Sequence, residues 1–159
     1  MNALESTLYD LSHLFLAPVL VLILASLAYA VIALGAFAWE GVQRRRGRYR
    51  SVLLHWHARQ PGHTSDDAEL WILKRLEWLR IVSRTAPMLG LVATMIPMGP
   101  ALLALTRSDA QGVGENMVVA FSSVILALVA ASLTFVILTV RRRWLLQELR
   151  QLERLQAAA

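Results

Sequence analysis

The sequence predicts an all-α membrane protein with three transmembrane helices, the second and third extended into a cytoplasmic helical stalk. Three uncharged apolar runs occupy nearly half of the 159 residues, and arginines crowd the segments between and after them. A helix rises about 1.5 Å per residue, so roughly 20 apolar residues cover the hydrocarbon core of a bilayer. Each run meets that length.

Residues 1–13 form a short segment with Glu5 and Asp10 and no Lys or Arg. The first run, 14–39 (Leu14 to Trp39), is 26 residues long. It exceeds a signal-peptide apolar core, lacks basic residues before it and has a dense basic cluster behind it, which predicts a retained anchor and not a cleaved leader. Pro18 is expected in the first turn of this span, where spare N–H groups make proline tolerable.

Residues 40–84 carry ten of the sixteen basic residues, among them Arg44, Arg45, Arg46, Arg48 and Arg50. Short segments rich in Lys and Arg stay in the cytoplasm, so this stretch is expected inside, the N-terminus outside and the C-terminus inside. Gln60-Pro61-Gly62-His63 interrupts any helix, and a new one is expected from Asp66 or Asp67 with an acidic cap. Its apolar positions Leu70, Leu73, Leu76 and Leu79 read as one stripe, with Trp71 and Trp78 on a neighbouring face. No terminator separates this helix from the second run, 85–106 (Thr85 to Thr106), so one long helix is predicted to enter the membrane.

Residues 107–115 read as an outer turn with a single basic residue, Arg107. The third run, 116–140 (Asn116 to Val140), continues into a tail, 141–159, that opens with Arg141, Arg142 and Arg143. In the tail Leu145, Leu149 and Leu152 make a 4-3 apolar stripe that fits a contact within the chain or one with other subunits, the second being the expectation for a three-helix protomer that packs against neighbours.

With 57% hydrophobic and 17% charged residues, the chain leaves no room for an independent soluble domain of ordinary size. The net charge of +5 is concentrated beside the spans, where it suits lipid headgroups and topology and not nucleic acid. Cysteine is absent, and no nucleophile–base pair, paired buried carboxylates or nucleotide loop appears. No enzyme, cofactor or metal is therefore expected; His55-Trp56-His57 with His63, Asp66 and Asp67 is a weak metal pattern in a polar loop.

The second and third spans lack charged groups in their interior, so what they offer for function is weakly polar and small. The second, Ala86-Pro87-Met88-Leu89-Gly90-Leu91-Val92-Ala93-Thr94-Met95-Ile96-Pro97-Met98-Gly99-Pro100, has three prolines, two glycines and one hydroxyl. Prolines release carbonyls that must face protein or water, which predicts a helix inside an assembly. Gly90, Thr94 and Ala101 share a face into which another helix could settle. In the third span Glu115, Val119 and Ser122 fall on one face, aligning a carboxylate with a deeper hydroxyl. Glu115 also fits a helix-start carboxylate, and Ser122, Ser123 and Thr94 also fit hydroxyls bonded to their own backbone.

These two spans resemble the MotA/TolQ/ExbB proton-channel proteins. In the TolQ and ExbB branch the second span carries A-P-L-L-G-L-x-G-T, matched here at Pro87, Gly90 and Thr94, with Ala93 for the second glycine. The small-residue run Ala127-Leu128-Val129-Ala130-Ala131 is similar to the family's G-L-V-A-A. Aligned on it, Val119 takes the place of the family's intramembrane glutamate and Val124 that of its channel threonine. The resemblance implies a proton-channel or motor subunit of the bacterial inner membrane. It also implies a pentameric ring around a single-span partner like ExbD, TolR or MotB. In that picture Thr94, Glu115, Val119, Ser122 and Ser123 line the proton pathway, and Pro87, Gly90 and Pro97 pack helices. The alternative is a non-conducting scaffold or accessory subunit of a transport complex.

Overall fold

In the computed structural model, which describes residues 3–46 and 65–157, the chain is three long helices. Helix α1 spans Ala3–Arg45, α2 spans Ser65–Thr106 and α3 spans Ala110–Ala157. At about 1.5 Å per residue each exceeds 60 Å, roughly twice a hydrocarbon core. Each includes a stretch long and apolar enough to cross a membrane. No strand occurs among the described residues. Helix α2 passes through Arg80 and Arg84 into its apolar half without a break, as the absence of a terminator predicts.

The helices divide between two compact units, one built from residues up to 31 and 82–133, the other from 32–81 and 134 onward. In the first unit the core is made mainly of alanine. One cluster joins Val19, Ile23, Ala93 and Ala127, and another joins Ala30, Ala86, Ala130 and Ala131. Small side chains let helix backbones approach, which gives the van der Waals packing that holds helices together where lipid removes the hydrophobic drive. Large apolar residues such as Leu14, Ile32, Leu91, Met95, Phe121 and Ile125 point outward, as lipid-facing surface requires. The buried hydroxyl of Ser26 in α1 donates to the carbonyls of Leu22 and Ile23. Pro18 is not in a first turn: α1 begins at Ala3, so the proline lies inside the helix and cannot donate to the carbonyl of Leu14.

The second unit buries Ala68, Ile72, Leu76 and Leu79 from α2 and Ile137, Leu145, Leu149 and Leu152 from α3. The expected α2 stripe is thereby corrected: Leu76 and Leu79 are 2% exposed, but Leu70 is 66% and Leu73 40% exposed. At 100° per residue, steps of three rotate steadily backward, so Leu70 and Leu79 end on opposite faces; the 4-4-3 steps of 68, 72, 76 and 79 stay on one. The α3 stripe is buried within the single protomer, and the expectation that it contacts other subunits is not met.

Candidate functional site

The end of α2 and the start of α3 meet in a three-residue turn. Ser108 N–H donates to Leu105 O and Asp109 N–H to Ala104 O, the paired bonds of a Schellman cap with Ser108 at φ 56°. Asp109 then caps α3, its Oδ1 accepting from Gly112 N–H at 3.0 Å. Helix α3 therefore starts before Glu115, whose place is the second turn and not the helix start. Its exposed carboxylate accepts from Gln111 Nε2 at 2.9 Å, while Asn116 Nδ2 donates to Gly112 O.

Deeper in the same unit, α2 meets α3 along a seam of small residues. Gly90 is buried, and a Cβ built on it would stand 2.9 Å from Ala127 Cβ and 3.4 Å from Val124 Cγ2. The helix that settles on the face of Gly90 and Ala101 is, at Gly90, α3 of the same chain. By contrast Gly35 has nothing within 4 Å of such a Cβ. Pro87 is half-buried beside Ala86, and Pro97 is fully buried, withholding the N–H that would meet the carbonyl of Ala93. Thr94 is half-buried, and its Oγ1 donates to Leu91 O at 2.7 Å.

Val119, Ser122 and Ser123 lie together on the side of α3 that faces α1. With Leu126 and Val118 they form one wall of an apolar groove of about 290 Å³, whose other wall is Leu20, Ile23 and Leu24. Ser123 is 4% exposed and donates to Val119 O at 2.6 Å; Ser122 and Val119 are exposed along the wall. Thr94 does not line this groove, and Glu115 lies one turn away along α3. Two hydroxyls and no carboxylate line it, so a proton relay there needs an ionisable group from elsewhere. Among the described residues no three His, Cys, Asp or Glu gather to hold a metal; the loop histidines lie outside the described residues.

The best-formed polar cluster, in the second unit, was not singled out by sequence reasoning. Glu40 accepts from Arg44 and from Arg141, whose Nη2 lies 3.0 Å from it, and Arg44 also reaches Glu148 Oε1. The Arg44 guanidinium lies over the Trp144 ring at 4.5 Å, and the Phe37 ring stacks on Trp144 with centroids 5.3 Å apart. Two acids thus offset two arginines at the charged end of the spans. A signal was available: Glu40 and Arg44 stand one turn apart, and Arg141, Trp144 and Glu148 follow at steps of three and four, one helix face.

No curated protein and no solved structure matches the chain. The family model of the MotA/TolQ/ExbB proton channel family matches residues 63–154, more than half of the chain. That stretch takes in all of the α2/α3 seam, the capped turn between the two helices and the polar extension of each. Three membrane-spanning helices, the last two joined by a small-residue seam that lies within the matched residues 63–154, make this multi-pass membrane protein a member of the MotA/TolQ/ExbB proton channel family.

Proposed function

We propose that the chain is a subunit of a proton-driven motor in a bacterial inner membrane, with its N-terminus outside and its C-terminus in the cytoplasm. The family match over residues 63–154 carries the reading. Several copies, five by resemblance to the family, form a ring around a single-span partner like ExbD, TolR or MotB, and the assembly converts proton motive force into mechanical work without catalysing a reaction. The partner supplies the ionisable aspartate that the spans of this chain lack. Thr94 and Ser122 or Ser123 line its path, Glu115 gathers protons at the outer mouth, and Pro87, Gly90 and Pro97 set the helix packing. Protonation neutralises the aspartate and lets it pass the apolar positions Val119 and Val124; release on the far side restores its charge. One proton crossing 100 mV supplies about 2.3 kcal/mol for each such step.

A second reading, a non-conducting scaffold or accessory subunit, is favoured by one observation, that the Thr94 and Ser123 hydroxyls bond their own helices, and agrees with the resemblance, by which Val119 and Val124 stand in place of the family's glutamate and threonine. Native mass measurement of the tagged chain, purified in mild detergent from its host, tests the assembly. A pentamer carrying a short single-span protein with a membrane aspartate is expected. A clean monomer or dimer, with no such protein, would overturn the motor reading.

A further inference from the structure

We infer that the cleft at the charged end of the helices, lined by Trp39, Glu40, Gln43, Arg75, Leu76 and Arg141, binds the phosphate ester of an anionic lipid headgroup. The cleft has a volume of about 180 Å³, room for a phosphate and a small polar substituent. Its charges do not cancel. Glu40 is shared by Arg44 and Arg141, and Glu148 answers Arg44, so these four groups balance. Arg75 is the cation left over: among the described residues it has no carboxylate at ion-pair distance, and its guanidinium rests 5.1 Å from the Trp71 ring centroid.

A planar guanidinium held on an aromatic face keeps its N–H edge available, and that edge matches two phosphate oxygens. Gln43 adds a neutral donor, and Leu76 gives the cleft an apolar wall for the glycerol end. Trp39, 69% exposed, stands where the apolar run of α1 gives way to charge, the depth at which tryptophan marks a membrane–water boundary. An anion arriving there from the bilayer brings its phosphate to Arg75 and leaves its acyl chains along the exposed apolar surface of α1, at Ile32 and Trp39. A free phosphate ester has the same head chemistry but gains nothing from that surface.

Native mass spectrometry of the full chain in detergent, titrated separately with phosphatidylglycerol, phosphatidylcholine and glycerol 1-phosphate, tests the site. Phosphatidylglycerol should be retained in preference to phosphatidylcholine. Arg75→Gln should weaken its binding about tenfold, the weight of one charge-assisted hydrogen-bond pair. Arg75→Lys should recover part of it, and Arg142→Gln, which removes the same charge from an exposed position outside the cleft, should change it less than about twofold. Equal losses in Arg75→Gln and Arg142→Gln would mean bulk charge attraction and overturn the site. Retention of glycerol 1-phosphate as strongly as of the lipid would overturn the lipid assignment. Circular dichroism should show all three variants folded, since Arg75 and Arg142 are both exposed.

Discussion

Replacing Gly90 with alanine places a methyl carbon 2.9 Å from Ala127 Cβ, 3.4 Å from Val124 Cγ2 and 3.5 Å from Val124 Cα. Carbon pairs rest at about 3.5–4.0 Å, so the seam must open by roughly 0.6–1.1 Å at Ala127. Neither neighbour can swing aside: Ala127 has no rotamer to change, and Val124 is branched at Cβ. The helices themselves must part. Overpacking of this kind costs about 1–3 kcal/mol, against about 1 kcal/mol that alanine returns in helix propensity, for a net loss of about 0–2 kcal/mol. Ala127→Gly removes the nearest obstacle, so the double variant should recover at least about 1 kcal/mol relative to the sum of the singles. Unfolding of the full chain in mixed micelles, titrated with sodium dodecyl sulfate and followed by tryptophan fluorescence, measures all corners of the cycle. Gly35→Ala, with open space around it, is the control and should not destabilise. Additivity within about 0.5 kcal/mol would refute the close α2/α3 contact.

The turn between α2 and α3 offers a matched pair of outcomes in the same assay. Ser108→Gly should stabilise by about 0.5–1 kcal/mol, because φ 56° strains a residue with a Cβ. Gly112→Ala should destabilise by about 1 kcal/mol, since its Cβ would collide with Asp109 Oδ2 and displace the helix cap. In the second unit, Glu148→Gln should cost about 1–3 kcal/mol by weakening the partly buried pairing with Arg44, whereas exposed Glu69→Gln should stay within about 0.5 kcal/mol; equal effects would show that the Glu40–Arg44–Glu148–Arg141 network contributes nothing to stability.

The three spans and the unbroken α2 were legible because they depend on local composition: length, hydropathy and the absence of a helix terminator between Leu79 and Thr85. What the sequence hid depended on which face meets which. Leu70 and Leu73 look like Leu76 and Leu79 in a list, and only the rotation of the helix separates the exposed pair from the buried pair. Residues 107–115 read as an outer turn, but Asp109 caps α3 and the helix takes up most of that stretch, from Ala110. Gly90 was readable as a close-approach residue, yet a sequence alone does not say whether the approaching helix comes from the same chain; Val124 and Ala127 do. The charge cluster escaped because Arg141 was accounted for by topology, and its acid partner Glu40 lies 101 positions away. Of the candidate pathway residues, Val119, Ser122 and Ser123 come together on one wall, and Thr94 lies apart from it.

Proton flux across liposomes containing the purified complex of this chain and its single-span partner, read with an entrapped pH-sensitive dye under an imposed potential, tests the motor reading most directly. The expected result is acidification that needs the partner's aspartate and falls when Thr94→Val, Ser122→Ala and Glu115→Gln are combined, with assembly intact. A complex that conducts no more than empty liposomes would contradict proton coupling, and a triple variant that conducts at the unmodified rate would contradict the assigned path.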